Sequence, residues 1–267
     1  MGKDSRIEWT DHTFNPWWGC TKVSAACTNC YAEAWAKRVG AKVWGAKTER
    51  RFFGDNHWRE PLRWNLDAAA TGDRHRVFCA SMADVFEDRR ELDAWRGRLA
   101  ELIQATPNLD WLLLTKRPNK VASLAPWRDT WPANVWLGTT VESQTWAEKR
   151  LPSLAAIPAR VRFVSCEPLL GELDLRPWLR TTIQWVIAGG ESGPRARAPD
   201  PEWFRTLRDQ CLDASVPFHF KQWGDWAPST GWTGDGSTDM ARVGKKKAGR
   251  TLDGRTWNQL PGTLGLA

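Results

Sequence analysis

The sequence is short of the features that mark several large classes of protein. It has no run of about 18 or more apolar residues, which excludes a predicted transmembrane helix. Residues 1–10 are charged and carry no apolar h-region, so no secretory signal is read and a cytoplasmic protein with reduced cysteines is expected. There is no G-x-G-x-x-G fingerprint, no P-loop lysine and no H-E-x-x-H helix, which counts against dinucleotide, nucleoside-triphosphate and zincin chemistry. Histidines number only four and are scattered, none beside a nucleophile in a triad pattern. Tyrosine occurs once, against 20 tryptophans.

What is present describes a globular chain. At 267 residues and 42% hydrophobic it can bury a core without disulfides or a structural metal. The net charge is +7, and Arg outnumbers Lys by 26 to 12. Both the charge and the tryptophans permit a nucleic-acid or nucleotide partner without requiring one, since coding bias in a GC-rich genome gives the same composition.

Near-continuous apolar runs recur at residues 76–81 (RVFCAS), 111–115, 135–139, 161–165, 184–188 and 216–221, with an earlier strand near 14–18. Runs of this kind belong to strands covered on both faces. Between them lie helical patterns. Leu92, Trp95, Leu99, Leu102 and Ile103 share a face, and Asp200-Pro201 opens a helix that buries Phe204, Leu207 and Cys211 before Pro217. Ser143 is placed to cap another, which Pro152 is expected to break or kink. The expected fold class is α/β, a full or partial parallel (β/α) barrel of about six to seven units, with an open doubly wound sheet as the alternative. The barrel domain is assigned to residues 1–224. Within it residues 40–65, rich in Arg and Trp, read as an insertion or lid, and residues 225–267 read as a C-terminal extension.

The strongest local pattern is Cys20-x6-Cys27-x2-Cys30, after the first strand and directly before a helical stretch at 31–39. Three thiolates in one loop can hold three irons of a [4Fe–4S] cluster and leave the fourth open. They can also supply three of four ligands to zinc, with His12 or a distant cysteine as the fourth. The remaining Cys79 and Cys211 read as core, and Cys166 lies at a strand end. In a parallel barrel chemistry gathers where strands end. There the sequence places Ser81, Asp84, Thr115, Lys116, Thr139, Glu142, Glu167, Gly189, Gly190, Glu191 and Lys221. Together they suggest a shared polar cleft, with Gly189-Gly190 open to close approach and Glu191 able to accept from an ammonium or a ribose hydroxyl. His219 reads as a barrel-wall histidine.

The strings Asn15-Pro16-Trp17-Trp18-Gly19-Cys20-Thr21-Lys22-Val23-Ser24 and Cys27-x-x-Cys30-Tyr31-Ala32-Glu33 closely resemble a phage-associated three-cysteine-motif family of unknown function that is radical-SAM-like. The resemblance continues through Ser81-Met82-Ala83-Asp84, Leu114-Thr115-Lys116-Arg117-Pro118, Glu167-Pro168-Leu169-Leu170-Gly171, Gly189-Gly190-Glu191-Ser192-Gly193-Pro194 and Phe220-Lys221-Gln222-Trp223-Gly224. It implies a partial barrel with a [4Fe–4S] cluster on Cys20, Cys27 and Cys30. S-adenosylmethionine would chelate the open iron, an electron donor would drive its reductive cleavage, and the resulting 5′-deoxyadenosyl radical would take hydrogen from a substrate, expected to be nucleic acid, a nucleotide or a related small molecule. The strand-end residues would bind the cofactor, and no catalytic residue is assigned. Two departures stand out. The superfamily's commonest spacing is C-x3-C-x2-C, and its Gly-Gly-Glu motif follows an early strand, whereas residues 189–191 follow a late one, so Ser81 and Asp84 compete for the cofactor's amino group. Two other readings of the same cysteines are a zinc-bearing nucleic-acid-binding protein without catalysis, and an iron–sulfur protein that leaves S-adenosylmethionine intact.

Overall fold

In a computed structural model, residues 2–127, 130–232 and 238–262 are described. The chain begins with β1 (His12–Thr13), β2 (Trp17–Trp18), α1 (Tyr31–Arg38), β3 (Arg51–Phe52) and α2 (Asp55–Thr71). It continues through β4 (His75–Cys79), α3 (Asp93–Gln104), β5 (Leu109–Thr115), α4 (Pro118–Leu124), β6 (Val135–Thr140) and α5 (Gln144–Ala155). Then follow β7 (Arg162–Cys166), β8 (Trp185–Gly189), α6 (Pro201–Asp213) and β9 (Phe218–Gln222). Last come β10 (Trp226–Trp232), β11 (Thr238–Arg242), α7 (Lys245–Ala248), β12 (Thr251–Leu252) and β13 (Arg255–Thr256).

Seven strands form the main sheet in the order β1-β4-β5-β6-β7-β8-β9, and the recorded strand pairings within it are parallel. The order never reverses. A doubly wound sheet turns back at a switch point, so that alternative is set aside. The sheet starts at β1 and stops at β9, which makes the barrel partial rather than full. The apolar runs explain the layering: every residue of β6 and of β8 is buried, as strands covered on both faces must be.

By contacts the chain divides into two compact units. The first comprises Met1–Val23, Ala32–Thr139 and Pro152–Arg162. Its core is built on Phe14, Trp111, Leu112 and Ile103, with α3 burying Leu99 and Leu102. The second comprises Ser24–Tyr31, Thr140–Leu151 and Phe163–Ala267. Its core is built on Trp185, Ile187, Phe204, Phe218 and Phe220. Here α6 starts as expected: the Asp200 carboxylate accepts the Glu202 N–H at 2.9 Å, Pro201 takes the first helical position, and Phe204, Leu207 and Cys211 are buried. The outer edge of β9 is covered by the chain after β13, where the Phe220 N–H donates to Trp257 O at 3.0 Å and His219 pairs with Asn258.

Several expectations change in detail. The strand expected at 14–18 is two short elements. His12–Thr13 pairs with β4, and Trp17–Trp18 turns away to pair antiparallel with β3. Residues 40–65 contain β3 and most of α2, a 17-residue helix that ends on Gly72 at φ +77°. Pro152 does not end α5, which runs to Ala155. Pro152 has no N–H to give the Glu148 carbonyl one turn earlier, yet only three residues of the helix follow it. No α-helix joins β7 to β8; the link is irregular backbone that buries Leu169, Leu173, Leu175 and Leu179, the last in a bridge to Ile183. Residues 233–237 and 263–267 of the expected extension lie outside the described residues. No helix among the described residues is long and apolar enough to cross a membrane.

Candidate functional site: the cysteine loop and its tethers

In the first unit Cys20 enters on Gly19, whose φ of +118° only glycine adopts readily and whose Cβ would lie 2.3 Å from Val43 O. The Cys20 thiol donates to Thr21 O at 3.4 Å, and Arg117 Nη1 lies 3.7 Å from its sulfur. Arg117 is held at the end of β5 by Asp84, at 2.8 Å, and itself donates to Thr21 O at 2.6 Å. Asp84 also accepts from the Thr115 hydroxyl at 2.7 Å and the Lys116 N–H at 3.1 Å. Beside it, buried Arg50 makes a bidentate pair with Glu87 at 2.7 and 2.9 Å and reaches the Thr21 hydroxyl. Burial, with Asp84 and Glu87 nearby, pushes the Cys20 thiol up to about 12, and Arg117 works against that rise. Burial alone would lower the Arg117 guanidinium, but Asp84 and Cys20 hold it above its ordinary value.

In the second unit the other part of the loop is tied down by two carboxylates. Glu142 Oε1 accepts the Ala26 N–H at 3.3 Å, while its Oε2 accepts from Arg150 at 2.7 Å. Glu191 accepts from Asn29 Nδ2 at 3.0 Å and from the Arg197 backbone and side chain at 2.9 Å each. Arg197 Nη2 then donates to Ala25 O at 3.1 Å. Burial would raise the Glu191 carboxyl, but these Arg197 and Asn29 bonds outweigh it and hold it below its ordinary value. None of these tethers uses the thiols of Cys27 or Cys30.

A family model described as a protein of unknown function, DUF5131, matches residues 4–261. The chain is a member of the DUF5131 family. No curated protein and no solved structure matches it.

In this DUF5131 chain the strand-end residues expected in one cleft fall into three groups. Ser81, Asp84, Thr115 and Lys116 belong to the first unit, Ser81 exchanging hydrogen bonds with Asn15 at 3.0 and 3.4 Å. Thr139 gives its hydroxyl to Thr115 O at 2.9 Å. Glu142 and Glu191 hold the loop. Glu167 and Lys221 pair at 3.0 Å across β8, over Gly189, where a Cβ would stand 2.7 Å from Glu167 Oε1. Gly190 has a similar reason to be glycine: its Cβ would lie 1.9 Å from Trp223 O. The close approach that the Gly-Gly pair permits is therefore made by the protein's own groups. Arg117, Arg150, Arg197 and Asn29 were missed as site residues. Arg117 stands next to Lys116 in the sequence, but no sequence pattern marks the other three. Cys79, Cys166 and Cys211 are fully buried, as is His219, and all six cysteines are free.

Among the described residues no three or more His, Cys, Asp or Glu side chains are grouped so as to hold a metal ion. The donor set fits an iron–sulfur cluster in kind: three thiols on one loop of eleven residues, with a guanidinium at the first.

Proposed function

We propose that this chain is a radical-SAM-like enzyme in which Cys20, Cys27 and Cys30 hold a [4Fe–4S] cluster. With S-adenosylmethionine bound, such a cluster would supply one-electron reductive cleavage of a carbon–sulfur bond and a radical able to take hydrogen from a substrate. The observation that carries the reading is the tethering of the loop through backbone and non-thiol groups, which fixes its path and leaves Cys27 and Cys30 as donors. Glu142, Glu191 and Arg197 clamp residues 25–29. Arg117 sets a positive charge 3.7 Å from the Cys20 sulfur, where ligation requires a thiolate. Asp84 positions Arg117 and shares its charge.

The test is iron, sulfide and zinc content after anaerobic purification and reconstitution, for wild type beside a Cys20/Cys27/Cys30 triple alanine variant. About four irons and four sulfides per chain, absent from the variant, are expected. Reductive release of methionine from S-adenosylmethionine is expected of the wild type alone. Stoichiometric zinc without iron, or a loaded cluster that leaves S-adenosylmethionine intact, overturns the reading.

A further inference from the structure

The first unit carries a second feature that the cysteine loop does not explain. At the start of α2 lies a surface pocket of about 390 Å³ lined by Phe53, Gly54, Asp55, Asn56, His57 and Arg59. One wall is aromatic and braced from behind. The His57 ring stacks on buried Phe14 (4.7 Å, 8°) and meets Phe53 at 4.7 Å and 47°. Its Nε2 lies 2.9 Å from Asn15 O, and since a carbonyl only accepts, the ring hydrogen sits on Nε2.

The β2–β3 pairing extends this wall. Trp18 lies opposite Arg51 in the register, and Trp18 meets Phe53 edge-on at 5.6 Å. Side chains alternate along an extended segment. Phe52 turns the other way and stacks on Trp95 at 4.6 Å and 7°, which anchors the strand. Exposed Arg51 stands over Trp18 at 4.9 Å and over Phe53 at 5.6 Å. Exposed Arg59 completes the rim. Of the nearby acids, Asp55 is paired with Arg98 at 2.6 Å, and Glu60 lies 3.7 Å from His57 Nδ1. Half-exposed ring faces, a pocket with an amide at Asn56 and two exposed guanidinium groups match an unpaired base on a phosphate chain. A duplex would hide the base face the wall needs.

We propose that this surface binds single-stranded nucleic acid, one unpaired base lying against Phe53 and His57 while Arg51 and Arg59 meet flanking phosphates. The proposal does not rest on the cluster reading, because nothing in the surface needs the cysteines. Fluorescence anisotropy of a labelled single-stranded oligothymidylate, titrated with the full-length protein, tests it. Binding should be tighter than to a duplex of equal length and should weaken steeply with salt. Phe53→Ala should weaken it about tenfold, Phe53→Trp should preserve it, and Arg51→Ala and Arg59→Ala should each flatten the log–log salt slope by about 0.7. The triple cysteine variant should bind as the wild type does. Absence of binding at low salt, equal preference for duplex, or wild-type affinity in Phe53→Ala and both arginine variants overturns the proposal. So does loss of binding in a folded triple cysteine variant, which would move the ligand to the loop.

Discussion

Arg150→Met isolates the electrostatic part of the clamp on the cysteine loop. Arg150 pairs with Glu142 at 2.7 Å and donates to Thr140 O at 2.8 Å, with the two paired side chains 3% and 0% exposed. Methionine keeps most of the aliphatic stem, so little cavity forms, and what is lost is the charge together with the guanidinium stacked 4.1 Å over Trp146. Removing one partner of a buried pair typically costs about 3–5 kcal/mol, because the other charge stays buried. In a chain of this size that corresponds to a fall of roughly 6–20 °C in Tm. The double variant Glu142→Gln/Arg150→Met removes both charges, and its amide can still accept from Ala26, so it should recover most of the loss. Iodoacetamide labelling of Cys27, followed by peptide mass spectrometry, reads the loop directly. Glu142→Ala removes the Ala26 acceptor and should speed labelling about tenfold, the equivalent of about 1.4 kcal/mol of local opening. An Arg150→Met variant within about 1 kcal/mol of wild type by urea denaturation, or a double variant no better than the single, refutes the argument.

Cys20 offers a second measurement: with its thiol pushed up to about 12, alkylation of the cluster-free protein at about pH 8 should run at least about a hundredfold slower than free cysteine, and Arg117→Met should slow it further. Rapid labelling at that pH would contradict the burial and charge described around the sulfur. Buried His12 is held below its ordinary 6.5, first by burial and then by the charge of His75, whose Nδ1 lies 3.1 Å from His12 Nε2. Its folded pKa lies below the unfolded one, so its contribution to stability is intact above about pH 6.5 and is lost as pH falls toward the folded value; His12→Gln should flatten the stability–pH slope in that window, and an unchanged slope would count against it. Gly190→Ala should cost several kcal/mol or prevent folding, since its Cβ would meet Trp223 O at 1.9 Å, whereas Gly97→Ala, in open space within α3, should stabilise by about 0.5–1 kcal/mol in thermal denaturation.

The strands were legible because burial on both faces writes itself as uninterrupted apolar runs, and β5, β6 and β8 have them. Asp200-Pro201 was legible because capping is local. Helix α2 was not, because Pro61 lies inside it and its buried stripe is Trp58, Pro61, Trp64 and Ala68 between exposed arginines. The cysteines stood out by spacing alone. Their tethers did not: the partners of the Glu191 carboxylate, Asn29 and Arg197, lie 162 and six residues away. Contacts of that separation leave no periodicity, and a carboxylate after two glycines reads the same whether it waits for a ligand or holds a loop. The tryptophans divide similarly. Trp111 and Trp185 are core, while half-buried Trp18 lies beside an exposed arginine.

Strand order that follows chain order also bears on how the polypeptide is made. From β4 onward each strand of the sheet can dock on its predecessor as it leaves the ribosome, and each addition leaves one bare edge to be covered by the next. The final edge belongs to β9, and among the described residues no eighth strand of the main sheet follows it. Its backbone is met by residues 257–259, where Trp257 O accepts from Phe220 and Gln259 Oε1 accepts from Phe218. A chain released before residue 257 therefore presents an unpaired edge rich in phenylalanine, the kind that zips onto a second copy. In the finished chain the tail after β13 occupies that edge, so the pairing groups of Phe218 and Phe220 are already taken from within the same molecule.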